Sequence, residues 1–430
     1  MSASPTDVLF RPLRLGELQL SNRIIQGPMA ALQPRPDGRP SEQTLAFLAA
    51  RARGGVGMII IGGTVGTARG RAEAPFEGLL RMDADEFVEP LRTLTNAVHA
   101  HDVPVVAQVF AGFGRMGKSA EDRPLIAASP KNVVMSEDRL PPGLHIPGGR
   151  TTEMPLEATI AQIEDIQQQV VAAAVRAQRA GFDGIEIAAH MCYFFSSFLS
   201  PRTNWRDDKY GGGAENRARI LVDAIRAIRQ EVGSDYPIGL RMSVNDHLED
   251  GQDAAGFAEV AAVVARGGLA YIALTDGNYE SMDTSVAGPM LEHGEPEVFR
   301  KAVGDVPLLI AGVNDPAVAA EAIEAGHVDA VMLARQLLAD PEYANKLREG
   351  RLEDIVWCDH DNSCLRRLIL NVPVRCHLNP RMGRESRDGS LPPISRAIKR
   401  PVESVLVGVT GSERLMGAAS KLAAHRNKRS

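Results

Sequence analysis

Eight short apolar runs, each followed by an amphipathic stretch, constrain this chain more than any other feature. They are RIIQG from Arg23, MIII from Met58, PVVAQVF from Pro104, GIEIA from Gly184, IGLRMS from Ile238, YIAL from Tyr271, PLLIA from Pro307 and AVMLA from Ala330. Runs this short read as buried strands. Between them, apolar residues recur at three- and four-residue steps, as in Ile160, Ile163, Ile166, Val170, Ala174 and Ala177 before Gly181, which is the phase of a helix with one buried face. Alternating strands and helices of this kind build parallel sheet. Eight such units predict an α/β fold, a (β/α)8 TIM barrel over residues 1–350, with its chemistry in the loops at the C-terminal ends of the strands.

Two segments fall outside that repeat. The third strand-to-helix connection, from Ala111 to about Leu156, is far longer than an ordinary loop and reads as a lid over the barrel mouth, with a disordered insertion as the alternative. Beyond Gly350 comes WCDHDNSCLRRLILNVPVRCHLNPRMGRE, which holds three of the chain's four cysteines, and residues 351–394 are taken as a separate cysteine segment. Residues 395–430 form a tail carrying eight Lys and Arg against Glu403 and Glu413, the composition of a solvated end.

Composition narrows the function class. Lys and Arg number 48 against 54 Asp and Glu, a net charge of −6, and phosphate backbones need clustered positive charge, so the expected partner is a small molecule rather than nucleic acid. Cys192 stands far from the other cysteines, no disulfide framework is visible, and MSASPTDVLF lacks the basic start and apolar run of a leader. Arg266 interrupts the longest apolar stretch, so no membrane span is expected and a cytoplasmic location is.

The strand ends supply Pro28, Met29 and Ala30, then Gln108, Arg241, the turn at Gly312, and Arg335. Each has a use if a flavin lies across the mouth. Small residues after the first strand let an isoalloxazine ring approach the backbone, Gln108 reaches its pyrimidine edge, and Arg241 sets positive charge beside the N1/C2 carbonyl. The turns after strands seven and eight are where TIM barrels bind phosphate, and Arg335 adds a charged fork there.

LFRPLRLGELQLSNRIIQGPMA, AGFDGIEIAAHMCYFFSSFLSPRTNWRDDKYGGGAENRARILVDAIRAIRQEVG and VMLARQLLADPEYANKLREGR resemble Old Yellow Enzyme family flavoproteins, and CHLNPRMGRE is similar to the 2,4-dienoyl-CoA reductase and trimethylamine dehydrogenase branch. The resemblance spans roughly residues 8–385. It implies FMN held by Pro28, Met29, Ala30, Gly62, Gln108, Arg241, Gly312, Ala334 and Arg335, with Ala334 where the family usually has Gly. Ala30 offers no thiol, so the flavin is expected to be noncovalent. In many relatives the fourth strand ends in a histidine pair, or a His and Asn, that grips the substrate carbonyl; here Ala188 and Met191 occupy those places. Tyr193 stands where dienoyl-CoA reductases have their proton donor, with Glu280 as the expected helper and His190 just outside the register. A wall role for Tyr193, and a loop contact for His190, are the plainer readings.

In the same relatives a four-iron, four-sulfur cluster is ligated by C-x2-C-x3-C-x11-C. Cys364 and Cys376 match the last interval, while Trp357 and His360 occupy the first two places. Cys358, His360, Cys364 and Cys376 are therefore the candidate ligands, for an altered cluster or for zinc as Cys3His, with a metal-free relic as the preferred reading. VESVLVGVTGSERLMGAASKLAAHR resembles the first strand and helix of the FAD domain of longer relatives with its glycines off pattern, so the family's electron relay is expected to be lost. The reading that results is an FMN oxidoreductase passing hydride between flavin N5 and an activated C=C bond, an ene-reductase reduced by NAD(P)H or by a separate reductase. A desaturase or amine dehydrogenase, or a degenerate flavin-binding scaffold subunit, are the alternatives; a homo-oligomer is consistent with either.

Overall fold

The computed structural model describes residues 6–144, 146, 149–387, 412, 414 and 415. All eight expected strands form: β1 Ile24–Gln26, β2 Met58–Val65, β3 Val105–Phe110, β4 Gly184–Ala189, β5 Ile238–Ser243, β6 Tyr271–Thr275, β7 Leu308–Ala311 and β8 Ala330–Leu333. They pair in parallel, in the order β4-β5-β6-β7-β8-β1-β2-β3, and close into a barrel. A helix follows each strand: α1 Glu42–Arg53, α2 Val88–His99, α3 Ile160–Arg179, α4 Ala214–Val232, α5 Ala254–Ala265, α6 Glu295–Val303, α7 Pro316–Glu324 and α8 Arg335–Ala339. None of the described helices is long and apolar enough to cross a membrane.

Period-two alternation sorts the strand residues between two cores. Ile59 and Ile61, Val105 and Val109, and Ile185 and Ile187 face outward into the layer beneath the helices. Met58 and Ile60, Val106, Ala273, Leu309 and Met332 face the barrel axis. An N-terminal hairpin, Leu13–Leu15 against Leu18–Leu20, packs Leu15, Leu18 and Leu20 into that axial core. In α3, Ile163, Ile166, Val170, Ala174 and Ala177 are buried as their spacing predicts, and Thr159 with Gln162 forms a capping box at its start.

The described residues of the long connection after β3 are bound to the barrel. Arg206 donates to the carbonyls of Ala128 (3.1 Å) and Ala158 (2.7 Å), the Ala128 N–H donates to Ser197 Oγ at 3.0 Å, and Arg139 pairs with Asp283 at 2.9 Å. The cysteine segment also docks on the barrel, through its helix Ser363–Ile369 and the Val374 N–H, which donates to the Ala31 carbonyl at 3.0 Å. Its far end is fixed by Arg51 of α1, wholly buried, which pairs with Glu385 at 2.9 Å and lies over the Phe47 ring at 3.7 Å. The proposed remnant of an FAD-domain unit lies outside the described residues, apart from residues 412, 414 and 415.

Arg51 without its carboxylate would be a buried charge lacking a counter-ion. Glu385→Ala is expected to lower the unfolding free energy by roughly 3–5 kcal/mol, whereas Glu215→Ala, which breaks the exposed pair with Arg266, should cost about 0–1 kcal/mol. Urea unfolding of the two variants measures both.

Candidate active site

Strand phase also decides which polar residues enter the barrel. Gln108 follows the axial Val106 by two positions; Glu186 stands between the outward Ile185 and Ile187; Arg241 stands between the outward Leu240 and Met242; and Thr275 continues the axial series of Tyr271 and Ala273. All four therefore point inward near the C-terminal ends of their strands. Gln108 Nε2 donates to Glu186 Oε1 at 2.6 Å, and Arg241 Nε donates to Thr275 Oγ1 at 2.7 Å. Burial pushes the Glu186 carboxyl above its usual value, and the charge of Arg241 pulls it back. Burial also lowers the Arg241 value while Glu186 raises it; a guanidinium that starts near 12.5 stays charged at neutral pH.

Above this floor lies a cavity of about 310 Å³, at the lower end of the roughly 300–1,000 Å³ of small-molecule and cofactor sites. One wall is the backbone of Pro28, Met29 and Ala30 after β1. Gly62 supports it from behind, where a Cβ would fall 2.4 Å from the Met29 nitrogen and 2.5 Å from Pro28 Cβ. The opposite end is built by two glycines in left-handed backbone, Gly288 (φ +69°) and Gly312 (φ +92°); a Cβ on either would sit 3.5 Å from the other's Cα. Arg335 fixes that end, donating to the Val286 carbonyl at 2.7 Å and to Asn362 Oδ1 at 3.1 Å. Ala334 adopts φ −117°, open to any L-residue, so its methyl group is accommodated without backbone strain. Cys364, Leu365 and Leu368 of the docked C-terminal helix roof the cavity.

The reactive side holds His190, Tyr193 and Tyr279. Tyr193 packs edge-on against Phe110, with ring centroids 4.6 Å apart, and its hydroxyl lies 2.9 Å from that of Tyr279. Burial, then the neighbouring Tyr279, hold the Tyr193 phenol well above its ordinary value, so it keeps its proton at neutral pH. Burial, reinforced by Arg241, keeps His190 neutral, and its Nδ1 has no protein partner.

Two sequence expectations change here. Glu280 does not reach the cavity: it is 4% exposed and held by Arg115 at 2.8 Å and Arg202 at 2.7 Å. Burial opposes its charge, but the Arg202 and Arg115 contacts outweigh burial and lower its pKa, so it is an anchored carboxylate and Tyr279 takes the place beside Tyr193. Gln108 lies below the cavity wall, its amide N–H committed to Glu186. Among the described residues, the ligand atoms that lie within 4.8 Å of one another are those of His247, His293 and Glu295, and of Asp359, Asp361 and His377; Cys358, Cys364 and Cys376 are near enough for each thiol to raise the pKa of a neighbour, and the metal expectation for them with His360 stays open. His360 Nε2 meets Asn314 Nδ2 at 3.1 Å. Burial pushes the Cys364 and Cys376 thiols up to about 11 and about 12. Glu186 and Tyr279 were missed, although a Glu inside the apolar run GIEIA was a visible signal.

Residues 8–354 match the family model described as NADH:flavin oxidoreductase / NADH oxidase. The chain belongs to this family. Its relatives include an NADH oxidase of Thermoanaerobacter brockii, 35% identical over 96% of this chain and 62% of the relative. A cinnamate reductase of Clostridium sporogenes is 29% identical over 96% of this chain and 63% of its own length. A solved 2-naphthoyl-CoA reductase in complex with 2-naphthoyl-CoA superposes with a TM-score of 0.79 at 26% identity, over 89% of this chain and 58% of that one. The chain thus spans about three fifths of the length of these proteins. Membership in the NADH:flavin oxidoreductase / NADH oxidase family makes FMN the expected occupant, and the cavity suits it: a charged guanidinium at the floor, a wall of Pro28, Met29 and Ala30, and a glycine cradle with an arginine at the far end.

Removing the Glu280 carboxylate leaves the buried Arg115 without its carboxylate and Arg202 with Asp250 alone, so Glu280→Ala should destabilise by about 3–5 kcal/mol. A lowered folded pKa means this stabilisation is complete above the unfolded carboxylate value of about 4.3 and is lost as pH falls through the folded value. Wild-type and variant unfolding energies should therefore converge only once pH falls below the lowered folded value, as read from denaturant midpoints across a pH series.

Proposed function

We propose that this chain is an FMN-dependent ene-reductase in which Tyr193, backed by Tyr279, delivers the proton. The observation that carries this reading is the pair of hydroxyls 2.9 Å apart in the cavity wall. Reduction of a C=C bond consumes one hydride and one proton. FMN, when bound, supplies the hydride, after reduction by NAD(P)H. The chain must supply the proton.

Tyr193 can hold a proton at its Oη through the neutral range, release it to the substrate α-carbon, and draw a replacement through Tyr279. Of the groups around it, the charge of Arg241 favours the phenolate formed, against burial and the neighbouring Tyr279, which favour the protonated phenol, so reprotonation is rapid. With Ala188 and Met191 in place of a polar pair, substrate orientation falls to shape and to His190 in the cavity lining. Arg335 with the Gly288 and Gly312 cradle would take the phosphate, and Arg241 the flavin ring. The relatives named cinnamate reductase and 2-naphthoyl-CoA reductase support a conjugated, carbonyl-activated alkene as substrate.

The cysteine segment enters this reading as a roof and not as a redox centre. Three thiols and a histidine already bonded to Asn314 do not provide the four ligands, usually cysteines, of an ordinary cluster. Protein purified anaerobically should release FMN into an acid supernatant and contain no acid-labile sulfide. Stoichiometric sulfide, or a flavin that stays with the precipitate, would contradict the assignment.

Tyr193→Phe tests the proton donor. A positioned general acid contributes about 10²- to 10⁴-fold, so reoxidation of reduced flavin by an enone should slow at least tenfold while reduction by NAD(P)H stays near wild type. Because the wild-type phenol is protonated throughout, the reoxidation rate should be flat between about pH 6 and 8. Equal rates in both half-reactions for wild type and variant would remove Tyr193 from the mechanism.

A further inference from the structure

Beside the cavity, but outside the machinery described above, four groups of metal-ligating type come from two successive strand-to-helix connections. His247 lies in the turn after β5, Asp276 directly follows β6, and His293 and Glu295 flank Gly294 at the start of α6. His247 Nε2 stands 2.5 Å from Asp276 Oδ1 and 3.5 Å from Glu295 Oε1. The His293 ring lies 5.6 Å from that of His247, centroid to centroid, and ligand atoms of His247, His293 and Glu295 lie within 4.8 Å of one another.

Part of this arrangement has ordinary structural uses. Asp276 Oδ1 takes the His247 contact, and Glu295 Oε1 accepts from Asn245 Nδ2 at 2.8 Å while its charge favours the start of α6. These uses leave one oxygen of each carboxylate over. Asp276 is 2% and Glu295 3% exposed, yet Asp276 Oδ2 and Glu295 Oε2 have no protein partner. Two carboxylates this buried, sharing one imidazole nitrogen, carry more negative charge than a single histidine can offset, and unpaired buried charge is costly. The nearby cation Arg139 is already paired with Asp283.

We propose that His247, His293 and Glu295 bind one divalent transition-metal ion of the zinc class. Two imidazoles and a carboxylate form a three-residue donor set suited to Zn²⁺, where an all-oxygen set would favour Mg²⁺ or Ca²⁺. The outer shell is also present: Asp276 Oδ1 contacts His247 Nε2, Asn245 donates to Glu295 Oε1, and Asn245 Oδ1 accepts from the His247 backbone N–H at 2.9 Å. His293 is exposed and gives the ion a route from solvent, while Asp276 also lines the cavity. The ion would tie the loops after β5 and β6 to α6 along the cavity edge. The inference does not depend on the ene-reductase reading.

Full-length flavoprotein, stripped with chelator and then dialysed against Zn²⁺, should retain one zinc per chain by elemental analysis. X-ray absorption at the zinc edge should show only nitrogen and oxygen neighbours near 2.0–2.1 Å, with no sulfur near 2.3 Å. His293→Gln, at an exposed position that leaves the fold intact, and Glu295→Gln should each weaken zinc affinity at least tenfold, whereas Cys364→Ser should leave it unchanged. Wild-type protein that retains no zinc, a shell containing sulfur, or zinc held equally well by His293→Gln and Glu295→Gln would each overturn the proposal.

Discussion

Closing eight parallel strands into a barrel removes every free edge and leaves each strand residue only two directions, toward the helices or toward the axis. Most axial positions here are apolar, from Leu15, Leu18 and Leu20 of the N-terminal hairpin up to Met332. Near the C-terminal ends the axial series turns polar, and Gln108, Glu186, Arg241 and Thr275 must satisfy one another because water is scarce there. The buried carboxylate of Glu186 keeps a counter-charge near Arg241, so a cation persists at the bottom of the cavity, with Arg335 and Asp276 the other charged groups in its lining.

That division of labour shapes the chemistry. Arg241 lies in the floor, Arg335 at the far end, and Glu280 in the network with Arg115 and Arg202 that binds the long connection to the barrel, while Tyr193, Tyr279 and His190 in the cavity wall are uncharged at neutral pH. A neutral acid flanked by another hydroxyl can move a proton without a standing charge in the pocket, and such charges would be costly to desolvate each time a substrate entered. Holding the roof and the lid with buried ion pairs, Arg51 with Glu385 and Arg115 with Glu280, favours a single arrangement of the walls.

What the sequence made legible was what short-range pattern controls. Apolar runs and helical spacing gave all eight strands, and strand ends gave Pro28, Met29, Ala30, Arg241, Gly312 and Arg335, all of which line the cavity. Partner choice was not legible. Glu280 sits beside Tyr279 in the chain, but its fate depends on Arg115 and Arg202, 165 and 78 residues away. Likewise the interval between Cys364 and Cys376 matches a ligand spacing along the chain, whereas the fold turns Cys364 to the cavity roof and His360 to Asn314. Glu186 was readable in principle, since an acid in the middle of a strand buried on both faces needs an axial partner.

The two facing glycines of the cradle carry a consequence for how this chain can diverge. Gly288 and Gly312 each adopt a backbone that L-residues rarely enter, and each leaves open the space in front of the other. The facing Cα, 3.5 Å from a Cβ built on either residue, is ordinary contact, so backbone strain alone bars a side chain from each position. The two glycines are thus restricted separately, and replacing one does not change what the other tolerates. Ala334, with ordinary backbone angles at the same end of the cavity, is where drift can proceed.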